Sequence, residues 1–345
     1  MITITKKRRF ISLLVFVSLG MAILPACEKE CASTTAPVYE DCPPVSIDYL
    51  ECEPLPDHGS FISTFRVEDT EYTFPHYNPN NTEEFVYLER NVSEGKYDLV
   101  KYNMVYETKV ILAENARVTS QPKWSGDNSI AYATVLENNI SMVSGDGVDL
   151  THLADNAIGG YPAWSPDGNK LYYKNSNFIL RKDLIEDEID TVFENNSSYI
   201  DISRNNNLYA AVFRENSKFL GNIDLDQSNY TSLLDLYDSQ LISVLGLSPS
   251  PDGKYLYISM GDPESSGIYK MDLNTRLFTK IARSCSSKGY GSLSCSPDGR
   301  KLLVSRSDAY LEEAGNGLYT GTTIINRFIS IIDLCSLVET TIELD

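Results

Sequence analysis

Histidine is scarce in this chain. It has 3 in 345 residues, at His58, His76 and His152. They fall far apart, in separate predicted loops or strand edges, and no spacing between them suggests metal ligation. They read as surface or edge residues. There is no H-E-x-x-H pair, no CxxC pair of zinc-finger spacing, no Walker loop and no EF-hand pattern. A G-x-S-x-G elbow is also missing, which excludes an attached serine-hydrolase domain. The sequence therefore gives no cofactor and no metal. Basic charge is in the minority: 29 Lys and Arg stand against 48 Asp and Glu, a net charge of −19. Such a surface repels phosphate backbones and argues against nucleic-acid binding. After residue 26 no apolar run approaches 18 residues, so no later membrane-spanning helix is expected.

The one long apolar run lies at the start. Lys6, Lys7, Arg8 and Arg9 precede Phe10 to Leu24, the charge and length pattern of a secretory signal. Leu24-Pro25-Ala26-Cys27 follows. It resembles the lipobox of bacterial lipoproteins, in which the Cys thiol is acylated and becomes the mature N-terminus. The resemblance implies cleavage of a signal peptide at 1–26, with fatty acylation of Cys27. The protein is then held to a membrane by lipid, and Glu28 points to the outer membrane. Removing four basic and no acidic side chains shifts the net charge from −19 to −23. Six further cysteines remain, Cys31, Cys42, Cys52, Cys285, Cys295 and Cys335. An even number in an exported chain makes all six disulfide candidates, with the connectivity open. Residues 27–60, rich in Pro, Cys and Thr, read as a tether.

Repeats decide the fold of residues 61–345. Trp164-Ser165-Pro166-Asp167-Gly168 recurs as Ser250-Pro251-Asp252-Gly253 and Ser296-Pro297-Asp298-Gly299. Weaker copies start at Asn78, Ser125 and Ser203. In each, Pro presets φ, Asp bonds nearby backbone and Gly accepts positive φ. Asp167, Asp252 and Asp298 are therefore turn builders. An alternating strand follows each turn, and a second strand ends in Asp-Leu at 183, 224, 272 and 333. Four strands per unit at this period predict blades, and six units fit. The run from Phe61 to Val67 is expected to pair with the C-terminal strand and help close the ring.

The W-S-P-D-G turn followed by L-x-Y resembles the WD-type repeats of TolB-like β-propellers, over about residues 70 to 345. The resemblance implies an all-β, six-bladed propeller of four-stranded blades. Two departures stand out: the chain has no room for that family's N-terminal α/β domain, and it carries its own lipobox.

One unit breaks the repeat length. Extra residues near Ser307 to Thr322 are expected to form a long loop carrying Tyr310, Glu312, Glu313 and Tyr319. They should emerge on the same end as the segments leading into the innermost strands, which hold Tyr161, Tyr199 and Tyr290. Tyr suits recognition because it joins apolar area to a polar tip. These seven residues form the candidate binding face, acidic enough to favour a basic partner. The expected function is a non-enzymatic envelope scaffold that binds a protein or glycan. The alternative is a propeller enzyme acting on a glycan or peptide in the central channel. Three clustered carboxylates, or two histidines with a carboxylate, would favour it.

Overall fold

The computed structural model describes residues 64–67, 69–114, 116, 120–134, 138–155, 157, 159–194, 197–214, 217–235, 243–261, 267–284, 287–315 and 318–344. The signal peptide, Cys27, the tether, Cys31, Cys42, Cys52, His58 and Cys285 lie outside them.

The propeller consists of six blades of antiparallel strands, with each blade contiguous in sequence. A short strand, β1 (Thr64–Val67), comes first. Blade 1 is β2 (Thr70–Asn78), β3 (Asn81–Asn91), β4 (Lys96–Asn103) and β5 (Thr108–Ala113). Blade 2 is β6 (Lys123–Trp124), β7 (Ser129–Ala133), β8 (Ile140–Ser144) and β9 (Thr151–Ala154). Blade 3 is β10 (Gly159–Trp164), β11 (Lys170–Asn175), β12 (Phe178–Asp183) and β13 (Ile189–Glu194). Blade 4 is β14 (Ser197–Ile202), β15 (Leu208–Arg214), β16 (Ser217–Ile223) and β17 (Tyr230–Asp235). Blade 5 is β18 (Ser243–Pro249), β19 (Tyr255–Gly261), β20 (Gly267–Asp272) and β21 (Phe278–Arg283). Blade 6 is β22 (Lys288–Cys295), β23 (Lys301–Gly315), β24 (Leu318–Asp333) and β25 (Glu339–Thr341).

The recurring turns build themselves locally. Ser165 Oγ donates to Asp167 Oδ1 at 2.6 Å and accepts from Lys170 N at 2.9 Å. Ser250 and Ser296 do the same with Asp252 and Asp298. Gly168, Gly253 and Gly299 sit at φ of 74°, 70° and 70°, where a Cβ is costly. In the weaker copies Asn128 and Asn206 take that position, at φ 73° and 60°. The Asp-Leu signature has its own cause. Asp183, Asp224, Asp272 and Asp333 each accept two backbone N–H groups from the turn that follows. Leu184, Leu273 and Leu334 then donate to Asn169, Lys254 and Arg300, tying the two turns of one blade together.

The hydrophobic core is divided among the seams between blades. One cluster joins blades 1 and 2 around Trp124 and Val86. Others follow at each seam in turn, through blades 5 and 6. The last, around Tyr77, Phe85, Tyr87, Leu303 and Ile329, joins blade 6 to blade 1. Blades 1 and 6 share no strand pairing with each other among the described residues, so side chains close this seam, while β1, the strand that precedes blade 1, joins the sheet of blade 6. Tyr77 N donates to Ser294 Oγ at 3.1 Å and Phe74 N to Ser305 Oγ at 3.0 Å. Glu71, 1% exposed, pairs with Arg90 of its own blade and Arg327 of blade 6.

Two expectations change. The extra residues of blade 6 are a continuous ladder: β23 and β24 pair from Lys301↔Asp333 up to Gly315↔Leu318. Their alternation satisfies each backbone group in turn, which a loop would leave to water. And β1 pairs with the third strand of blade 6, running parallel from Thr64↔Thr322 to Val67↔Ile325. The outermost strand, β25, reaches only Ser330 to Ile332 of β24, which leaves the upper part of that edge open to β1.

Candidate functional site

Each innermost strand starts at one end of the ring, here the inlet end, and finishes in a recurring turn at the other. Lys288, the first residue of β22, pairs with Asp308. β23 continues from Asp308 to Gly315, so the hairpin rises about 23 Å beyond the start of the innermost strand. Tyr310 on it is 45% exposed, and Glu313 is exposed. Glu312 is held by Arg66 of β1 at 2.9 Å and by Thr320. The Tyr319 side chain lies outside the described residues.

Tyr161 and Tyr199 do come together. Both stand four residues before their turn, at bulges in β10 and β14 with φ of 51° and 40°. Their ring centroids are 4.6 Å apart at 55°. Burial pushes both hydroxyl pKa values up. Phe74 occupies the same position in blade 1, also at positive φ. The rings meet at the seam of blades 3 and 4, with Tyr199 on the cluster of blades 4 and 5 and Tyr161 packed on the core cluster of that seam. In a ring of six, that seam lies across the channel from the blade 6 hairpin. The inlet end is shared, but the tyrosines and hairpin are not one continuous patch.

Tyr290 does not line this face. It is 5% exposed within the seam of blades 5 and 6. Its hydroxyl donates to Glu339 Oε2 at 2.8 Å, and Lys288 and Arg306 reach the same carboxylate. Burial works against the Glu339 charge, but these partners hold its pKa below the usual carboxylate range. Tyr290 stands six residues before its turn instead of four, which turns it into the wall. Cys295 also departs from expectation: it is a free thiol, and burial pushes its pKa up. Its position in the innermost strand beside the channel keeps it among Tyr77, Ser294 and Pro297.

The turn end holds the chemistry that was hidden in sequence. Two residues before each turn stand His76, Lys123, Ala163, Asp201, Ser248 and Ser294, one per blade. At three seams this side chain accepts from the next blade's backbone. His76 Nδ1 takes Trp124 N at 3.2 Å, Ser248 Oγ takes Cys295 N at 2.9 Å and Ser294 Oγ takes Tyr77 N. Ala163 has nothing to offer, so Ile202 N turns to Asp201 Oδ1 at 2.9 Å. Beyond Asp201 the next blade presents Pro249, which has no N–H. Asp201 Oδ2 is therefore left for Lys123 Nζ, at 2.8 Å, with side chains 12% and 6% exposed. Burial, helped by the Lys123 charge, holds the His76 pKa well below its ordinary value.

Arg204, exposed on the blade 4 turn, reaches across to Pro79 O of blade 1 at 3.4 Å. It divides the mouth into two lobes that share His76, Asp201 and Arg204. The larger, of about 490 Å³, is walled by Trp124, Trp164 and Pro166. The smaller, of about 100 Å³, runs under Ser248 and Cys295. Among the described residues no group of three or more His, Cys, Asp or Glu is placed to hold a metal ion. His152 lies elsewhere, beside Asp155 on the outer surface. The His76, Lys123 and Asp201 column was readable once all six turns were aligned, two residues upstream of each.

No protein-family model matches the sequence, and no curated protein does. Solved structures do resemble it. TolB from Acinetobacter baumannii matches 79% of this chain with a TM-score of 0.56 and 16% identity. This chain spans 62% of that protein's length. A chain of the Nidogen/Laminin complex matches 79% of this chain and 93% of its own, with a TM-score of 0.52 and 14% identity. Oligogalacturonate lyase from Vibrio parahaemolyticus matches 79% of this chain and 77% of its own, at 0.50 and 12%. The likeness establishes the fold, a six-bladed β-propeller similar to that of TolB.

Proposed function

We propose that this protein is a lipid-anchored, non-enzymatic binding module of the cell envelope that docks a protein or glycan partner at its inlet end. The blade 6 hairpin carries the reading. It is the one large departure from the repeat, it projects beyond the ring on a rigid scaffold, and long excursions of this kind commonly carry function. Tyr310 offers an amphipathic anchor. Exposed Glu313 and the net charge of −19 favour a basic partner. The Nidogen/Laminin complex, a protein assembly by its name, is in keeping with docking. The lipobox at Cys27 supports anchoring in the outer membrane, and disulfide-bonded Cys335 is compatible with an oxidising compartment.

The test is site-specific photo-crosslinking in intact envelopes. A crosslinker at position 310 or 313 should capture one discrete partner, and one at Ile185, on an outer turn at the opposite end, should not. Equal capture from all three positions, or none from the hairpin, refutes the inlet face.

A further inference from the structure

We propose that the turn-end mouth of the channel is a binding site for a small organic carboxylate, gripped by Arg204 and His76 between the two tryptophans. This site is at the opposite end from the docking hairpin and does not depend on it.

The donor inventory points to the ligand. His76 Nδ1 accepts Trp124 N, so that nitrogen carries no proton and Nε2 does. Nε2 lies on the far side of the ring from the wall, and His76 lines both lobes of the mouth. Among the described residues nothing accepts from it. His76 is half-buried, so this donor faces the cavity of the mouth and is free to meet a ligand there. Arg204 is the second donor. Its one hydrogen bond among the described residues, to Pro79 O, is long at 3.4 Å and engages one of five N–H groups. Most side-chain acceptors that line the two lobes are already taken. Asp201 is used by Lys123 and Ile202, and Ser125, Ser165 and Ser250 bond within their own turns; Asp252 keeps one carboxylate oxygen without a hydrogen-bond partner, but it lines neither lobe. The surplus is of donors, so the complementary ligand supplies acceptors.

Charge and shape narrow the class. Among the residues that line the two lobes, Lys123 and Asp201 cancel, His76 is neutral, and Arg204 leaves one net positive charge. One carboxylate balances it, whereas a phosphate dianion brings a surplus beside Asp201. The guanidinium fork matches a planar carboxylate in two parallel bonds. Trp124, Trp164, Pro79 and Pro166 supply an apolar wall for the body of the ligand. A volume of about 490 Å³ is within the usual range for small-molecule sites.

The chain contains 2 Trp, and both line this lobe, so emission excited selectively at Trp, outside the absorption of the 22 Tyr, reports on this site. The probe is benzoate, with benzamide as its uncharged counterpart and inorganic phosphate as a competitor, titrated into the full chain in detergent. Benzoate should shift the Trp emission saturably, and benzamide should not. Arg204 is exposed, so Arg204→Gln should fold normally and weaken half-saturation about tenfold. His76→Gln keeps the acceptor for Trp124 N and tests the donor in the same way. Equal responses to benzoate and benzamide overturn the proposal. So does an unchanged Arg204→Gln titration, or displacement of benzoate by phosphate at lower concentration than benzoate itself requires.

Discussion

Lys123 and Asp201 sit one blade apart on either side of Ala163, with Nζ 2.8 Å from Oδ2. The small residue between them lets the pair close over the channel wall. Lys123→Ala leaves a nearly enclosed carboxylate without its cation. The expected loss is about 3–5 kcal/mol, measured by urea denaturation. Replacing both partners, as Lys123→Met with Asp201→Leu, should be neutral or stabilising, because two desolvated charges are removed together.

His76 makes folding sensitive to mild acid. Its folded pKa lies well below the ordinary value of 6.5. Above about pH 6.5 both folded and unfolded chains hold it neutral, and its contribution is complete. As pH falls below that, the unfolded chain takes up a proton that the folded chain refuses. Stability then drops by up to about 1.4 kcal/mol per pH unit until the folded pKa is reached. Urea midpoints at pH 7.5 and 5.5 should differ in the wild type. The His76→Gln variant should show a smaller difference.

Turn chemistry gives a paired test. Gly253 lies at φ 70° and a Cβ there crowds Asn205 Nδ2. Gly253→Ala should cost about 1–2 kcal/mol. Asn206, at φ 60° in the equivalent position of blade 4, already carries a side chain, so Asn206→Gly should be neutral or slightly stabilising. Thermal melts of the two variants separate them.

Anchoring is tested by Cys27→Ser. The variant should lose fatty-acid labelling and leave the membrane fraction on cell fractionation. Continued labelling sinks the lipoprotein reading.

Much of the architecture was legible because its turns are made by neighbours in sequence. Ser165, Asp167 and Gly168 bond one another, so their spacing survives as a visible repeat. The equivalence of Tyr161 and Tyr199 was visible for the same reason. His76 was passed over although its turn, Asn78-Pro79-Asn80-Asn81, was aligned with the others, because three histidines far apart in sequence show no ligand spacing and read as edge residues. The Lys123–Asp201 pair was hidden because it depends on what Ala163, in the blade between them, and Pro249, in the blade after Asp201, fail to provide. The hairpin was read as a loop because it interrupts the repeat length. Its pairing partner β1, 255 residues or more upstream in sequence, is what completes its other edge.

That β1 ladder also sets how the protein bears load. β1 runs from the hairpin tip toward the body of blade 6, parallel to β24. A pull on the chain preceding Thr64, directed away from the ring, slides β1 lengthwise along its neighbour. The four registered pairs then resist together, in shear, instead of opening one after another. A leash attached there would draw first on blade 6, whose seam with blade 1 is braced by Glu71 and Arg327, and traction would be spread around the ring before any single blade peeled away.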